Sequence, residues 1–179
     1  MAGAVAGMVA ITAAGLLVGN AIRSSFAGDA TDHAAELPET KLVSGVPFPD
    51  ITLLDEDGVA VSSAELVAGG SVVIFVDPRC QPCAAVTGHW QRAIDDGDID
   101  AASVIAISLR PPFANGEYRR SNGLEFGVYS DDQKTLWKEY AVGYIPYEVI
   151  VDDAGVIDAT NRDSREPLDP RVFYRALAD

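Results

Sequence analysis

Basic residues and cysteines are both scarce in this chain. Its 179 residues include 13 Lys and Arg against 27 Asp and Glu, which gives a formal net charge of −14. A nucleic-acid-binding surface gathers Lys and Arg on one face, so we expect no nucleic-acid partner. The acidity either serves solubility or steers a basic partner toward the chain. The two cysteines are too few for a disulfide scaffold, and a hydrophobic fraction of 48% supplies a core without one.

Charge is absent altogether from residues 2–22, a run dominated by Ala, Gly, Val, Leu, Ile and Met. About 20 apolar residues in a helix cross a bilayer, so residues 1–23 are predicted to form a single-pass membrane anchor. Ser25-Phe26-Ala27 resembles a small-x-small cleavage site, and a removed signal peptide is therefore the alternative. A buried soluble helix is a third interpretation. Since Arg23 follows the run and no basic residue precedes it, the flanking charges alone do not favour export.

The rest of the chain has the pattern of one domain. Residues 24–45 are polar and irregular and are predicted to be a linker, which leaves residues 46–179 for the domain. Residues 111–123 contain two Asn-Gly pairs and are predicted to be a polar loop. Strands are predicted at 51–54, 59–61, 72–76, 104–109, 126–129, 147–151 and 155–159, and helices at about 64–67, 82–94, from Asp131 or Asp132 to about Tyr140, and from Asp169 onward. This alternation predicts a three-layer α/β fold.

The most informative motif is Cys80-Gln81-Pro82-Cys83, which directly follows the apolar residues 72–76. A continuous apolar run predicts a strand covered on both faces, so the dithiol lies at a strand-to-helix junction. If Cys80 caps the helix, unpaired backbone N–H groups and the helix dipole lower the pKa of its thiol. The neighbouring Arg79 acts in the same direction and Asp77 in the opposite one.

These positions give the two thiols different roles. Cys80 is predicted to be the attacking nucleophile, and Cys83, one turn inside the helix, the buried resolving thiol. Gln81 and Pro82 lie between them and are predicted to face the substrate, with Pro82 stiffening the loop. The redox-active disulfide is then the only cofactor expected, because two thiols are too few ligands for a stable metal site. An inert disulfide, or two buried thiols, is the structural alternative.

From about residue 45 to residue 179 the chain resembles thioredoxin-fold proteins of the membrane-anchored TlpA/ResA-like group. The matching features are the first hairpin, the dithiol after a buried strand, Gly123-Leu124-Glu125-Phe126 ahead of Tyr129-Ser130-Asp131-Asp132, Ile145-Pro146, and residues 149–157. The resemblance implies a thioredoxin-like three-layer fold with a central mixed sheet and an added N-terminal β-hairpin. It also implies that Pro146 is a cis-proline beside the dithiol and that Ile145 offers its backbone to an extended substrate chain.

Within that group, Ile145-Pro146-Tyr147 and residues 161–166 are similar to the MauD-like branch. Proteins of that branch assist the maturation of methylamine dehydrogenase. A maturation factor for a disulfide-containing partner is therefore an alternative function.

The acid that usually serves the resolving thiol is missing from both of its family positions. Thioredoxins commonly carry it in the strand before the dithiol, where this chain has Ile74, and ResA-like proteins carry a Glu where this chain has Val86. Glu148, in the otherwise apolar strand after Pro146, is the candidate replacement, since a buried acid has a raised pKa and can shuttle a proton. Alternatively, Glu148 points to solvent or pairs with a Lys or Arg. Trp90 and Trp137 are predicted to be packing residues.

The sequence therefore predicts an extracytoplasmic thiol–disulfide oxidoreductase that acts on protein thiols and disulfides in the reducing direction. It would be held at the cell membrane and supplied by a membrane-embedded electron donor, or be periplasmic if the N-terminal segment is cleaved. A copper-delivery protein would need a wider cysteine spacing and a well-placed His. A peroxidase would need a Thr and an Arg around its cysteine, and a binding module with a structural disulfide is the non-enzymatic alternative.

Overall fold

A computed structural model of the chain describes residues 39–162 and 165–177. The predicted anchor or signal segment at residues 1–23, and the predicted linker up to residue 38, lie outside the described residues. Within the two described ranges, no helix has both the length and the apolar character needed to cross a membrane.

A single mixed sheet of seven strands forms the centre of the domain, in the order β2-β1-β5-β4-β3-β6-β7. The three middle strands, β5, β4 and β3, run parallel, and the strands outside them pair antiparallel. The strands are β1 (Thr52–Leu54), β2 (Ala60–Ser62), β3 (Ser71–Phe75), β4 (Val104–Ser108), β5 (Gly127–Ser130), β6 (Tyr147–Val151) and β7 (Ile157–Asn161).

Helices cover both faces of this sheet. They are α1 (Ser63–Val67), α2 (Gln81–Asp95), α3 (Pro112–Ser121), α4 (Thr135–Tyr140) and α5 (Pro170–Ala176), with a short 3-10 turn at Ala101–Ser103. The apolar side chains of α2, α3 and α5 pack on one face, and those of α1 and α4 pack on the other. Because β3, β4 and β6 are buried on both faces, their sequences are nearly continuous apolar runs. The domain is thus a thioredoxin-like three-layer fold with an added N-terminal β1–β2 hairpin, as predicted.

The predicted polar loop at residues 111–123 is wrong, because this segment contains α3. Pro111 ends the preceding extended stretch, and Pro112 occupies the first helical turn, where proline costs no backbone hydrogen bond. Asn115, which looks like a turn residue, is fully buried. Its side-chain oxygen accepts a hydrogen bond from Ser108 Oγ at 2.7 Å, and its amide donates to the Arg110 carbonyl at 3.3 Å. Tertiary hydrogen bonds therefore override the turn signal.

Several predicted boundaries shift by one to four residues. The predicted strands at 126–129 and 155–159 lie at Gly127–Ser130 and Ile157–Asn161. Helix α4 begins at Thr135, later than predicted, after Lys134 in a left-handed conformation. Asp131 still caps it from a distance, because its carboxylate accepts from the backbone N–H groups of Thr135 and Leu136, both at 2.9 Å.

The last residues of the predicted linker pack against the domain. Leu42 is fully buried, and the Tyr147 hydroxyl donates to its carbonyl at 2.5 Å. The backbone N–H of Lys41 and the hydroxyl of Thr40 both donate to the Tyr140 carbonyl at 3.0 Å. Residues 40–42 thus form hydrogen bonds with the end of α4 and the start of β6, and the packed domain begins before residue 46.

Candidate active site

Cys80 and Cys83 form a disulfide at the start of α2, with their Cα atoms 5.3 Å apart. Cys80 is the N-cap of the helix, and its sulfur accepts a hydrogen bond from the Cys83 backbone N–H at 3.2 Å. The sulfur of Cys80 therefore occupies the place where the helix N-terminus favours negative charge. Cys83 is fully buried, whereas Cys80 is half-buried and Gln81 and Pro82 are exposed.

A turn at residues 77–80 places Cys80 at the start of helix α2. The Asp77 carbonyl accepts from the Cys80 backbone N–H at 2.8 Å, and Asp77 Oδ1 accepts from the Arg79 backbone N–H at 2.9 Å. The second carboxylate oxygen of Asp77 accepts two hydrogen bonds from the Arg110 guanidinium, at 2.6 and 2.9 Å. Arg110 follows β4, the parallel neighbour of β3, so this pair joins the ends of two adjacent strands.

The Ile145–Pro146 peptide bond is cis, as the family resemblance implies. Pro146 directly precedes Tyr147, which pairs with Phe75 at the end of β3. The cis-proline thus lies at the end of the sheet from which the chain leads to Cys80. Ile145 is 44% exposed, whereas Pro146 is buried. Beside Ile145 opens a small apolar pocket lined by Phe75, Val76, Leu109, Leu136, Trp137 and Val142.

Glu148 is only 2% exposed, so the alternative that it faces solvent does not hold. Its carboxylate accepts from Trp90 Nε1 at 2.6 Å and from Asn161 Nδ2 at 2.9 Å. The backbone N–H of Leu168 donates to it at 3.2 Å. Glu148 pairs across the sheet with Ile74, the residue that stands where thioredoxins commonly carry their acid.

Burial raises the pKa of Glu148 above its usual range, while the hydrogen bonds from Trp90, Asn161 and Leu168 act in the opposite direction. Trp90 lies seven residues after Cys83 on the same helix, and both side chains belong to the same core cluster. The carboxylate is therefore linked through one indole ring to the packing around Cys83. None of the hydrogen bonds described for this carboxylate goes to a cysteine sulfur.

The model of the AhpC/TSA family matches residues 44–160. The chain belongs to the AhpC/TSA family. No curated protein matches its sequence at a significant level.

Solved structures share the fold of this AhpC/TSA-family chain at low sequence identity. Peroxidoxin BcpB from Mycobacterium tuberculosis is 18% identical, with a TM-score of 0.61 over 76% of this chain and 95% of that one. A secreted M. tuberculosis disulfide oxidoreductase homologous to E. coli DsbE is 18% identical, with a TM-score of 0.56 over 72% and 95% of the two chains. StoA from Bacillus subtilis is 21% identical, with a TM-score of 0.54 over 73% and 97%.

The structure of this AhpC/TSA-family member adds residues to the site that the sequence did not reveal. A role for Arg110 is not among the predictions from the sequence. Its position directly after β4, a buried strand parallel to β3, could have indicated that it lies near the dithiol. Trp90 is fully buried, as a packing residue should be, but it also donates to Glu148. Trp137 is 47% exposed and lines the apolar pocket, so its ring is only partly packed. In the described part of the chain, no group of three or more His, Cys, Asp and Glu side chains could hold a metal ion.

Proposed function

We propose that this chain is an extracytoplasmic thiol–disulfide oxidoreductase that reduces disulfides in protein substrates. The observation that carries the proposal is the arrangement of the two sulfurs. Cys80 is half-buried at a helix N-cap, and its partner Cys83 is fully buried behind it. That asymmetry suits one attacking and one resolving thiol.

In the proposed reaction the reduced chain begins as a Cys80 thiolate and a Cys83 thiol. The thiolate attacks one sulfur of a substrate disulfide, the substrate S–S bond breaks, and the departing thiolate takes a proton. Cys83 then loses its proton and attacks the Cys80 sulfur of the mixed disulfide. The second substrate thiolate leaves and is protonated, so that the substrate gains two electrons and Cys80–Cys83 becomes a disulfide.

Glu148 is proposed to accept the proton of Cys83 in the resolving step. The support is its burial on the α2 side of the sheet, its raised pKa, and its bond to Trp90 in the core cluster that contains Cys83. Gln81, Pro82, Ile145 and Pro146 are proposed to contact the substrate. The first two are exposed between the sulfurs, and Ile145 is exposed next to the cis bond.

The proposed location is the outer side of the cell membrane, with residues 1–23 as the anchor and a membrane-embedded electron donor. The uncharged run at residues 2–22 supports an anchor or a cleaved signal. One structure of similar fold is described as a secreted disulfide oxidoreductase. Membership of the TlpA/ResA-like group belongs to the same proposal, and a MauD-like maturation role for a disulfide-containing partner is the alternative to it.

Thiol peroxidase activity is the second candidate, because a peroxidoxin shares the fold. In that reaction the Cys80 thiolate attacks a peroxide oxygen, which breaks the O–O bond and leaves a sulfenic acid and water or an alcohol. Cys83 then displaces water from the sulfenic acid to form the same disulfide.

The equilibrium reduction potential of the Cys80–Cys83 pair tests the proposal. The full chain is equilibrated in redox buffers and the free thiols are counted, with Cys80→Ser as the inactive control. A potential of about −270 mV marks a thioredoxin-like reductant, and one of about −120 mV marks an oxidant. Turnover of a protein disulfide, but not of hydroperoxide, supports the oxidoreductase over the peroxidase. A disulfide that resists mild dithiol would instead show a binding module.

A further inference from the structure

The turn before Cys80 is built around one carboxylate. Asp77 accepts the Cys80 N–H with its carbonyl and the Arg79 N–H with its side chain, so it fixes both residues that precede the helix. This is the local use of Asp that favours turns. It also leaves a negative charge three residues from the sulfur that must become a thiolate, and like charge disfavours that thiolate.

Arg110 balances this carboxylate. Two of its guanidinium nitrogens donate to the same Asp77 oxygen, and the side chains of Asp77 and Arg110 are 22% and 32% exposed. Arg79 also donates to Asp77, but at 3.5 Å and from a side chain that is 75% exposed. The short contacts of Arg110 therefore dominate the charge balance at the turn.

The backbone of Arg110 is itself held in place. Its N–H donates to Ser108 Oγ at 2.9 Å, and its carbonyl accepts from Ser130 Oγ at 2.6 Å and from the Asn115 amide at 3.3 Å. All three polar side chains are buried. The end of β4, the end of β5 and helix α3 thus converge on one residue, which aims its guanidinium at the turn before Cys80.

We propose that Asp77 and Arg110 are positioning residues that tune the Cys80 thiolate: Asp77 builds the turn, and Arg110 cancels the charge that the turn requires. This inference rests on the proposed function, since it assigns Cys80 as the nucleophile. Of the described residues, the ionisable side chains bonded to the turn are Asp77, Arg79 and Arg110.

Two substitutions in the full chain should act in opposite directions. Asp77→Asn keeps a side-chain oxygen for the turn but leaves Arg110 uncompensated, so the thiolate is favoured. Arg110→Gln leaves Asp77 uncompensated, so the thiolate is disfavoured. We expect the pH midpoint of Cys80 alkylation to fall by about half a unit in the first variant and to rise by about as much in the second.

The reduction potential should follow the thiolate. A more stable thiolate stabilises the reduced form of the dithiol. The Asp77→Asn variant should therefore be more oxidising than the parent chain, and the Arg110→Gln variant more reducing. The equilibrium constant with glutathione is expected to change about threefold each way, or about 15 mV, which is the change that a half-unit shift of the Cys80 midpoint allows. The double variant Asp77→Asn/Arg110→Gln should return close to the parent chain, because both charges are gone.

Matched controls separate charge from structure. Arg110→Lys keeps the charge and should leave the alkylation midpoint near that of the parent, even if the turn loosens. Arg119→Gln breaks another half-buried ion pair, to Glu56 at 2.7 Å, and should leave the midpoint unchanged. If one single variant folds poorly in circular dichroism, the direction of the shift in the other single variant serves as the test.

Midpoints that move in the same direction, or not at all, would overturn the inference, because a merely structural turn predicts no change of sign. The alkylation readout does not require a protein substrate. Opposite shifts in a chain that reduces no protein disulfide would therefore leave the charge balance standing and overturn the proposed function. Reduction of a protein disulfide without opposite shifts would support the proposed function and overturn the charge-balance inference.

Discussion

Every hydrogen-bond partner described for the Glu148 carboxylate is a donor. The indole of Trp90, the amide of Asn161 and the backbone N–H of Leu168 all favour the charged form, while burial favours the neutral one. The net effect is a raised pKa. Burial is the largest of these influences, and it therefore sets the direction of the shift.

Replacing Glu148 with Gln is expected to slow disulfide exchange near neutral pH by about a hundredfold, the lower end of what a general base contributes. The measurement is the rate of reduction of a protein disulfide across pH 5–9. The loss should shrink at high pH, where hydroxide deprotonates Cys83 without help. Glu125→Gln, which changes an exposed acid, is the control. An unchanged rate would remove Glu148 from the mechanism.

The raised pKa of Glu148 also predicts how stability depends on pH. The native chain keeps this proton at pH values where the unfolded chain has released it, so the stabilisation is full below about 4.5 and is lost as pH rises through the folded pKa. The free energy of unfolding of the oxidised parent, relative to Glu148→Gln, should therefore fall from pH 4.5 toward neutral. Urea titrations of both chains measure it. A difference that rises with pH would mean that the hydrogen bonds outweigh burial.

At the scale of the elements, helix α4 depends on a cap outside its own first turn. Lys134 at its N-cap has φ 59° and offers no side-chain bond, and Asp131 supplies both oxygens instead. Asp131→Ala is expected to lower the free energy of unfolding by about 1–2 kcal/mol, the usual cost of a lost cap. Denaturant unfolding measures the change. Asp132→Ala, which removes an exposed neighbour, should cost much less, and equal costs would contradict the assignment.

Elements with a strong local signal could be predicted from the sequence. The apolar runs of β3, β4 and β6 and the span of α2 were predicted to within about two residues, because burial on both faces and a helix N-terminus both leave local patterns. Helix α3 could not be predicted this way. Its Asn115-Gly116 pair resembles a turn, and only the hydrogen bonds to Ser108 and Arg110 show why the chain is helical there.

Some residues of the candidate site could be predicted from the sequence, and others could not. The motif Cys80-Gln81-Pro82-Cys83 and the cis bond at Pro146 could be predicted because a motif or a resemblance marks them. The ion pair of Asp77 with Arg110 joins residues 33 positions apart, and the bond of Trp90 to Glu148 joins residues 58 apart. Such contacts depend on sheet order, which the sequence pattern does not specify strand by strand.

At the scale of the whole molecule, the charge of −14 opposes compaction. Self-repulsion of this kind is screened by salt, since the Debye length shortens from about 30 Å at 0.01 M to about 10 Å at 0.1 M. The free energy of unfolding is therefore expected to rise with sodium chloride over this range, and urea titrations at fixed pH measure it. A fall would mean that the ion pairs of Arg110 and Arg119 outweigh the general repulsion.

Ile74 and Glu148 face each other across neighbouring strands in the same buried layer. A sequence alignment compares position 74 only with the same position in other chains, so it would report that the acid of β3 is missing here. In the folded sheet, however, the carboxyl of Glu148 on β6 lies only one strand away from the position of Ile74 on β3. If Glu148 has its proposed role, an acid missing from one strand of a dithiol protein should be sought at the paired position on the neighbouring strand.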